Sequence, residues 1–242
     1  MTRALPTLLT LVLVGCSTSV GGTGGAGGSP RAAGSTAGSS ASDVATAAPL
    51  PRWGIHVIGP DLREELVGRN WHPGCPVGLG DLREVTVRYV DFHGDVRSGP
   101  LIVARSVAAD VLWVFRRLFR QGFEIKHVAI PGKWHPTRPS DYLTTRSVTA
   151  GFNCRPVTEG TAFSQHSYGW AIDINPLQNP YVRGDGSVLR RAAKAYLDRS
   201  QDLPGMIHPG DVVVRSFARI GWGWGGDWHT MKDYMHFSLT GK

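Results

Sequence analysis

From Val85 to Phe92, apolar and polar residues alternate closely enough to read as a half-buried strand. His93-Gly94-Asp95 can turn that strand, and Gly99–Ala104 can return beside it as the second arm of a hairpin. The period then changes. Val107, Val111, Val114, Phe115, Leu118 and Phe119 recur at helical spacing, with Ser106 placed to cap the start and Gly122 to close the end. Phe123–Ile130 predicts another strand, ended by Pro131. Residues 131 to 150, with prolines at 131, 136 and 139, predict a loop at a cleft rim. Val212–Ile220 reads as a structural helix.

Two later segments share one informative pattern. In Trp170–Asn175, Trp170, Ile172 and Ile174 fall on one strand face, and Ala171, Asp173 and Asn175 on the other. In Met235–Thr240, Met235, Phe237 and Leu239 share one face, with His236, Ser238 and Thr240 opposite. If the two strands adjoin, Asp173 and His236 converge. His166 lies seven residues before Asp173, on the wrong face of one continuous strand. The chain must therefore bend at Tyr168-Gly169, where glycine permits it. Asp233, at odd spacing from His236, is expected in the turn leading into the last strand.

Two histidines and a carboxylate match what catalytic zinc asks for: about three protein ligands and one open position. The expected ligands are His166, Asp173 and His236. Asp233 is the separate carboxylate that handles protons. Arg155 offers positive charge for oxygen charge developing on the substrate. Ser164 can bind substrate or orient His166. Each residue also has a plain structural reading: Asp173 as a cation's partner, Asp233 as a solvated loop charge, Arg155 as a surface arginine. The run Gly221–Trp228 reads mainly as a tight turn capped by core aromatics, with Trp224 as the candidate cleft wall and Tyr168 as a second substrate contact. His229, outside the ligand spacing, is expected at the rim.

The ends add location. Arg3 followed by the apolar stretch Leu8–Val14 describes an export signal over residues 1–16, too short to span a bilayer. Leu13-Val-Gly-Cys16 resembles a bacterial lipobox, which makes Cys16 a lipidation site and the membrane a partner through that anchor. The other reading is an ordinary cleaved leader. Residues 17–50 are Gly, Ser, Ala and Thr with almost no large apolar side chain, and are expected to form a disordered tether. Residues 51–242 suit one domain with a real core.

Net charge is +7, of which Arg3, Arg31 and Asp43 leave +6 on the domain. That excess favours anionic surfaces. No basic helix, zinc-finger spacing or aromatic RNA-binding motif points to nucleic acid. Outside the cytoplasm Cys75 and Cys154 are expected to form a disulfide, a two-cysteine metal site being the lesser alternative.

Ser164-x-His166-x-x-Gly169-x-Ala171-x-Asp173, with the later Asp233-x-x-His236, resembles the M15 family of zinc D-alanyl-D-alanine carboxypeptidases and related cell-wall endopeptidases. The Asp-x-x-His-Phe ending is similar to its L-alanyl-D-glutamate peptidase branch. Asn179-Pro-Tyr181 and the Gly/Trp run look like segments of bacterial members. The resemblance implies one Zn2+ at His166, Asp173 and His236, Asp233 as catalytic carboxylate, and Arg155 in the place of a transition-state arginine. It implies an α+β hedgehog/DD-peptidase-like fold: a small, mainly antiparallel sheet with helices on one face and zinc on the other. The implied substrate is the peptidoglycan stem peptide, cut by a monomeric enzyme outside the membrane. Carboxypeptidase branches commonly carry glutamate where this chain has Asp233, which leaves the bond cleaved open. The alternatives are a zinc-containing module that binds wall or signals without turnover, and a zinc peptidase acting on proteins.

Overall fold

The computed structural model describes residues 49–134, 144, 146–158 and 160–242. The leader, Cys16, nearly all of the tether, and Pro136 and Pro139 of the expected loop lie outside these residues. The chain divides into units 1–46 and 47–242, and the second is described here.

Its elements run β1 (Gly54–Val57), α1 (Pro60–Leu66), β2 (Leu82–Val90), β3 (Val96–Ala104), α2 (Ala108–Arg120), β4 (His127–Val128), α3 (Pro131–Trp134) and β5 (Val148–Thr149). Then follow β6 (Ala171–Asp173), β7 (Tyr181–Val182), α4 (Val212–Arg219), β8 (Gly223–Trp224), β9 (Lys232–Asp233) and β10 (His236–Ser238). This is a mixed fold of small, mostly antiparallel sheets and few helices, compatible with α+β. The single sheet expected from the sequence is instead two three-stranded sheets, ordered β1-β2-β3 and β6-β10-β8, with two-stranded ladders β4-β5 and β7-β9. Among the described residues, no helix is long and apolar enough to cross a membrane.

The hairpin forms as its alternation predicts, with Val90 opposite Val96. Its turn is held by Asp91, whose Oδ1 accepts from the His93 and Asp95 backbone N–H groups at 2.9 and 3.0 Å. Arg97 Nε donates to the other oxygen at 2.9 Å. The second half of β3, Leu101–Ala104, is buried on both faces. Leu101 and Val103 join Val85, Val87 and the Val111, Val114, Phe115 and Leu118 stripe of α2 in the main core. Ile102 enters a smaller core with Leu66, Leu82 and Phe152.

α2 matches its predicted stripe, but Ser106 does not cap it. Ser106 lies inside a 3-10 turn, Arg105–Val107, and Val107 takes the cap position without a side-chain bond. At the far end Gly122 adopts the left-handed conformation expected of a helix stop. α4 is capped by Asp211, whose Oδ1 accepts from Val213 and Val214 N–H. It sends Phe217 into the main core to stack on Phe237 at 4.2 Å. A buried aromatic of this kind contributes about 1.5–3 kcal/mol.

The expected strand Phe123–Ile130 shrinks to β4, paired in parallel with β5. Residues 131 to 150 are not all loop, since α3 and β5 fall within them. The shortening has a distant cause. Asn175 takes the backbone groups a longer strand would have used: its Oδ1 accepts from Lys126 N–H, and its Nδ2 donates to Glu124 O.

Cys75 and Cys154 form a disulfide, with Cα atoms 5.9 Å apart. It ties the smaller core to the segment that begins the functional site.

Candidate metal centre

His166 sits on a 3-10 turn, Gln165–Tyr168, that the sequence starts and stops. Ser164 Oγ accepts from His166 N–H at 3.3 Å, and Gly169 ends the turn at φ 69°. A side chain at Gly169 would also strike Ala104 N, 2.5 Å from its Cβ position. The expected bend is therefore real. It is pinned against β3 by a bond from Ala104 N–H to Gly169 O at 3.0 Å.

β6 and β10 pair antiparallel, with His236 opposite Asp173 and Phe237 opposite Ile172. Ile172 and Phe237 enter the main core, while Asp173 and His236 line a cleft of about 710 Å³. Strand parity thus separates core from chemistry for Ile172 and Phe237 against Asp173 and His236. Met235, expected beside Phe237, instead lines the cleft and Leu239 is exposed, because β10 spans only His236–Ser238. Asp233 differs slightly from expectation. It belongs to β9, paired with Tyr181 of β7, rather than to a free turn.

Both imidazoles aim at the same carboxylate oxygen. His166 Nε2 lies 3.2 Å and His236 Nδ1 3.1 Å from Asp173 Oδ1. His166 Nδ1 is 2.7 Å from Gly151 O, a carbonyl that can only accept. In the neutral ring the proton therefore sits on Nδ1, and Nε2 presents a lone pair to the carboxylate. Nε2 is buried and makes no hydrogen bond. Two acceptors this close repel unless a proton or a cation lies between them. One donor atom from each of His166, Asp173 and His236 lies within 4.8 Å of the others. The donor set and its orphaned nitrogen fit zinc, which takes N and O ligands of this kind.

The charges follow from burial and from these neighbours. Burial would raise the Asp173 carboxyl, but the His166 and His236 imidazoles override it and hold it well below the usual carboxylate range. Asp233 behaves oppositely. Burial first, and the charge of Asp173 second, push it up to about 7, against the pull of His236 and Arg155. Its Oδ1 is buried without a hydrogen-bond partner. For His236, burial lowers the pKa, but the bond to Asp173 and the two carboxylates raise it overall.

Arg155 lines the cleft and shares a hairpin with His166. Asn153 N–H donates to His166 O, and Ser164 N–H to Arg155 O. Ser167, fully buried and not singled out from the sequence, locks this hairpin. Its Oγ accepts from Arg155 N–H at 2.9 Å and donates to Arg155 O at 2.7 Å. Ser164 also lines the cleft. Two expected substrate contacts do not. Tyr168 stacks on Trp170 at 5.0 Å, and Trp224 is buried in the main core with its Nε1 donating to Tyr234 O. The tryptophan that lines the cleft is Trp228, whose ring centroid lies 5.7 Å from that of His236. The alternating Gly-Trp run does not reveal which indole faces inward. Gly225 lets this turn pack against β9, because a Cβ there would meet Asp233 O at 2.5 Å. His229 is exposed and outside the ligand group.

Residues 158–239 match the family model described as D-alanyl-D-alanine carboxypeptidase, of the M15 peptidases. The match spans His166, Asp173, Asp233 and His236, and covers roughly a third of the chain. It supports the M15 resemblance and a peptidase activity, and it does not distinguish between branches of the family. No curated protein and no solved structure matches the chain.

Proposed function

We propose that this chain is a zinc-dependent peptidase acting on peptidoglycan stem peptides outside the cytoplasm. One observation carries the reading: a nitrogen of His166, a carboxylate oxygen of Asp173 and a nitrogen of His236 converge beside a separate buried carboxylate, Asp233. A binding module has no need of that fourth group. The M15 match supports the substrate class, and the Cys75–Cys154 disulfide supports an oxidising compartment.

His166, Asp173 and His236 would hold the metal. Zinc at such a site supplies Lewis-acid chemistry, polarising the scissile carbonyl and making water a competent nucleophile near neutral pH. Asp233 takes the proton of the attacking water and delivers it to the leaving amine. Arg155, on the cleft wall, offers its positive charge to the oxygen that gains negative charge. Ser164 and Gly151 hold His166 in the orientation that keeps Nε2 facing inward. We further propose that the domain is monomeric, shares the hedgehog/DD-peptidase arrangement, and reaches the wall from a lipid-anchored tether.

Purified protein is expected to hold about one zinc per chain and to release peptide or D-alanine from wall fragments. Mass spectrometry of the digested muropeptides identifies the bond cut, and casein digested in parallel tests for activity on proteins. Full activity in both His166→Ala and Asp233→Ala would sink the mechanism.

A further inference from the structure

The proton on His236 has two competing acceptors. Asp173 Oδ1 lies 3.1 Å from Nδ1, and the main-chain oxygen of Lys242 lies 3.3 Å from Nε2. In neutral imidazole only one nitrogen carries hydrogen. A proton on Nδ1 would satisfy Asp173 but remove the lone pair that must bind metal. A proton on Nε2 leaves Nδ1 free.

The segment after β10 is built to hold the second acceptor in place. Ser238 Oγ donates to Lys242 O at 2.8 Å, and Trp228 Nε1 donates to Gly241 O at 2.8 Å. Gly241 N–H closes back on Ser238 O at 3.1 Å, with Gly241 in the left-handed conformation at φ 71°. Gly223 leaves room for this return, because a Cβ there would lie 2.6 Å from Gly241 Cα. Ser238, Trp228 and Gly223, from three separate segments, thus converge on Gly241–Lys242 and fix its backbone.

We propose that residues Gly241–Lys242 are a positioning element for the metal centre: Lys242 O holds the His236 proton on Nε2 and so presents Nδ1 to the metal. Ser238 and Trp228 act through the tail, by fixing its two carbonyl oxygens. Outer partners of metal-bound histidines typically change metal affinity by 10- to 100-fold when removed. The proposal rests on the metal reading above.

The test uses the full chain, with zinc affinity measured by chelator competition and the His236 tautomer read from 15N ring shifts of the metal-free protein at alkaline pH. Wild type is expected to show the Nε2–H form. Deletion of residues 241–242, and separately Ser238→Ala, are expected to shift His236 toward Nδ1–H and weaken zinc binding by about 10- to 100-fold. Ser238→Thr, which keeps a hydroxyl, is expected to restore both. Melting of the metal-free variants checks that they fold. Wild-type affinity and ring shifts in both folded variants would overturn the tail's role while leaving the metal site standing. Failure of the wild type itself to bind zinc would remove both readings.

Discussion

Asp233 carries the sharpest consequence at the scale of a single residue. Its carboxyl is pushed up to about 7 by burial and by the charge of Asp173. A base must be ionised, so the metal-free protein holds it in the wrong state below neutrality, and a nearby divalent cation would pull it back down. Asp233→Asn is expected to lower kcat by about 10²- to 10⁴-fold, the usual worth of a positioned acid–base group, while leaving zinc bound. The same group links pH to stability. Because its folded pKa lies above the unfolded value near 4, it stabilises the metal-free fold in acid, and that contribution is lost as pH rises from about 4 to 7. Metal-free Asp233→Asn should therefore show a flatter melting profile across that window than wild type, and should melt higher above pH 8. Parallel profiles for the two proteins would contradict the assignment.

At the scale of elements, Gly169 decides whether the 3-10 turn can deliver His166. It combines a positive φ with a contact against Ala104 N that no Cβ can share. Gly169→Ala is expected to destabilise the fold by about 1–3 kcal/mol, and to weaken zinc binding because the turn must lift away from β3. Unchanged zinc affinity together with an unchanged denaturation midpoint would refute this role. The turn was legible in the sequence because the parity conflict between His166 and Asp173 is local. The polar strand faces that carry Asp173 and His236 were legible for the same reason, since period-two alternation needs only a few neighbouring residues; that the two strands adjoin was a condition the structure meets. What depends on distant partners was not. The strand from Phe123 stops short because Asn175, far along the chain, claims the backbone of Glu124 and Lys126. Trp224 enters the core instead of the cleft because it stacks on Phe237, a partner thirteen residues on. The Lys242 contact with His236 leaves no pattern in a sequence at all.

For the whole domain, the Cys75–Cys154 bond closes a long loop at the smaller core, where Cys154 is buried and Cys75 packs against it. The partners are 79 residues apart, so the cross-link removes much freedom from the unfolded chain, and its loss is expected to cost about 2–5 kcal/mol. Its placement gives the bond a second effect. Cys154 directly precedes Arg155, and the hairpin that bears Arg155 returns to His166 through Ser164. Beyond the disulfide, Ser167 and the Cys154 N–H bond to Asn70 O still hold that hairpin. In Cys75→Ala/Cys154→Ala the side chain of Arg155, which lines the cleft and donates to Pro156 O, should therefore lose order before the buried ring of His166 does. The double variant is expected to unfold at lower denaturant with a larger m-value, because its unfolded chain is freer and exposes more surface, to keep zinc affinity within a few-fold, and to lose kcat more than KM. Denaturation of the metal-free protein, chelator competition and steady-state kinetics separate the three quantities. If zinc affinity fell as steeply as kcat, the bond would be serving the metal ligands rather than Arg155.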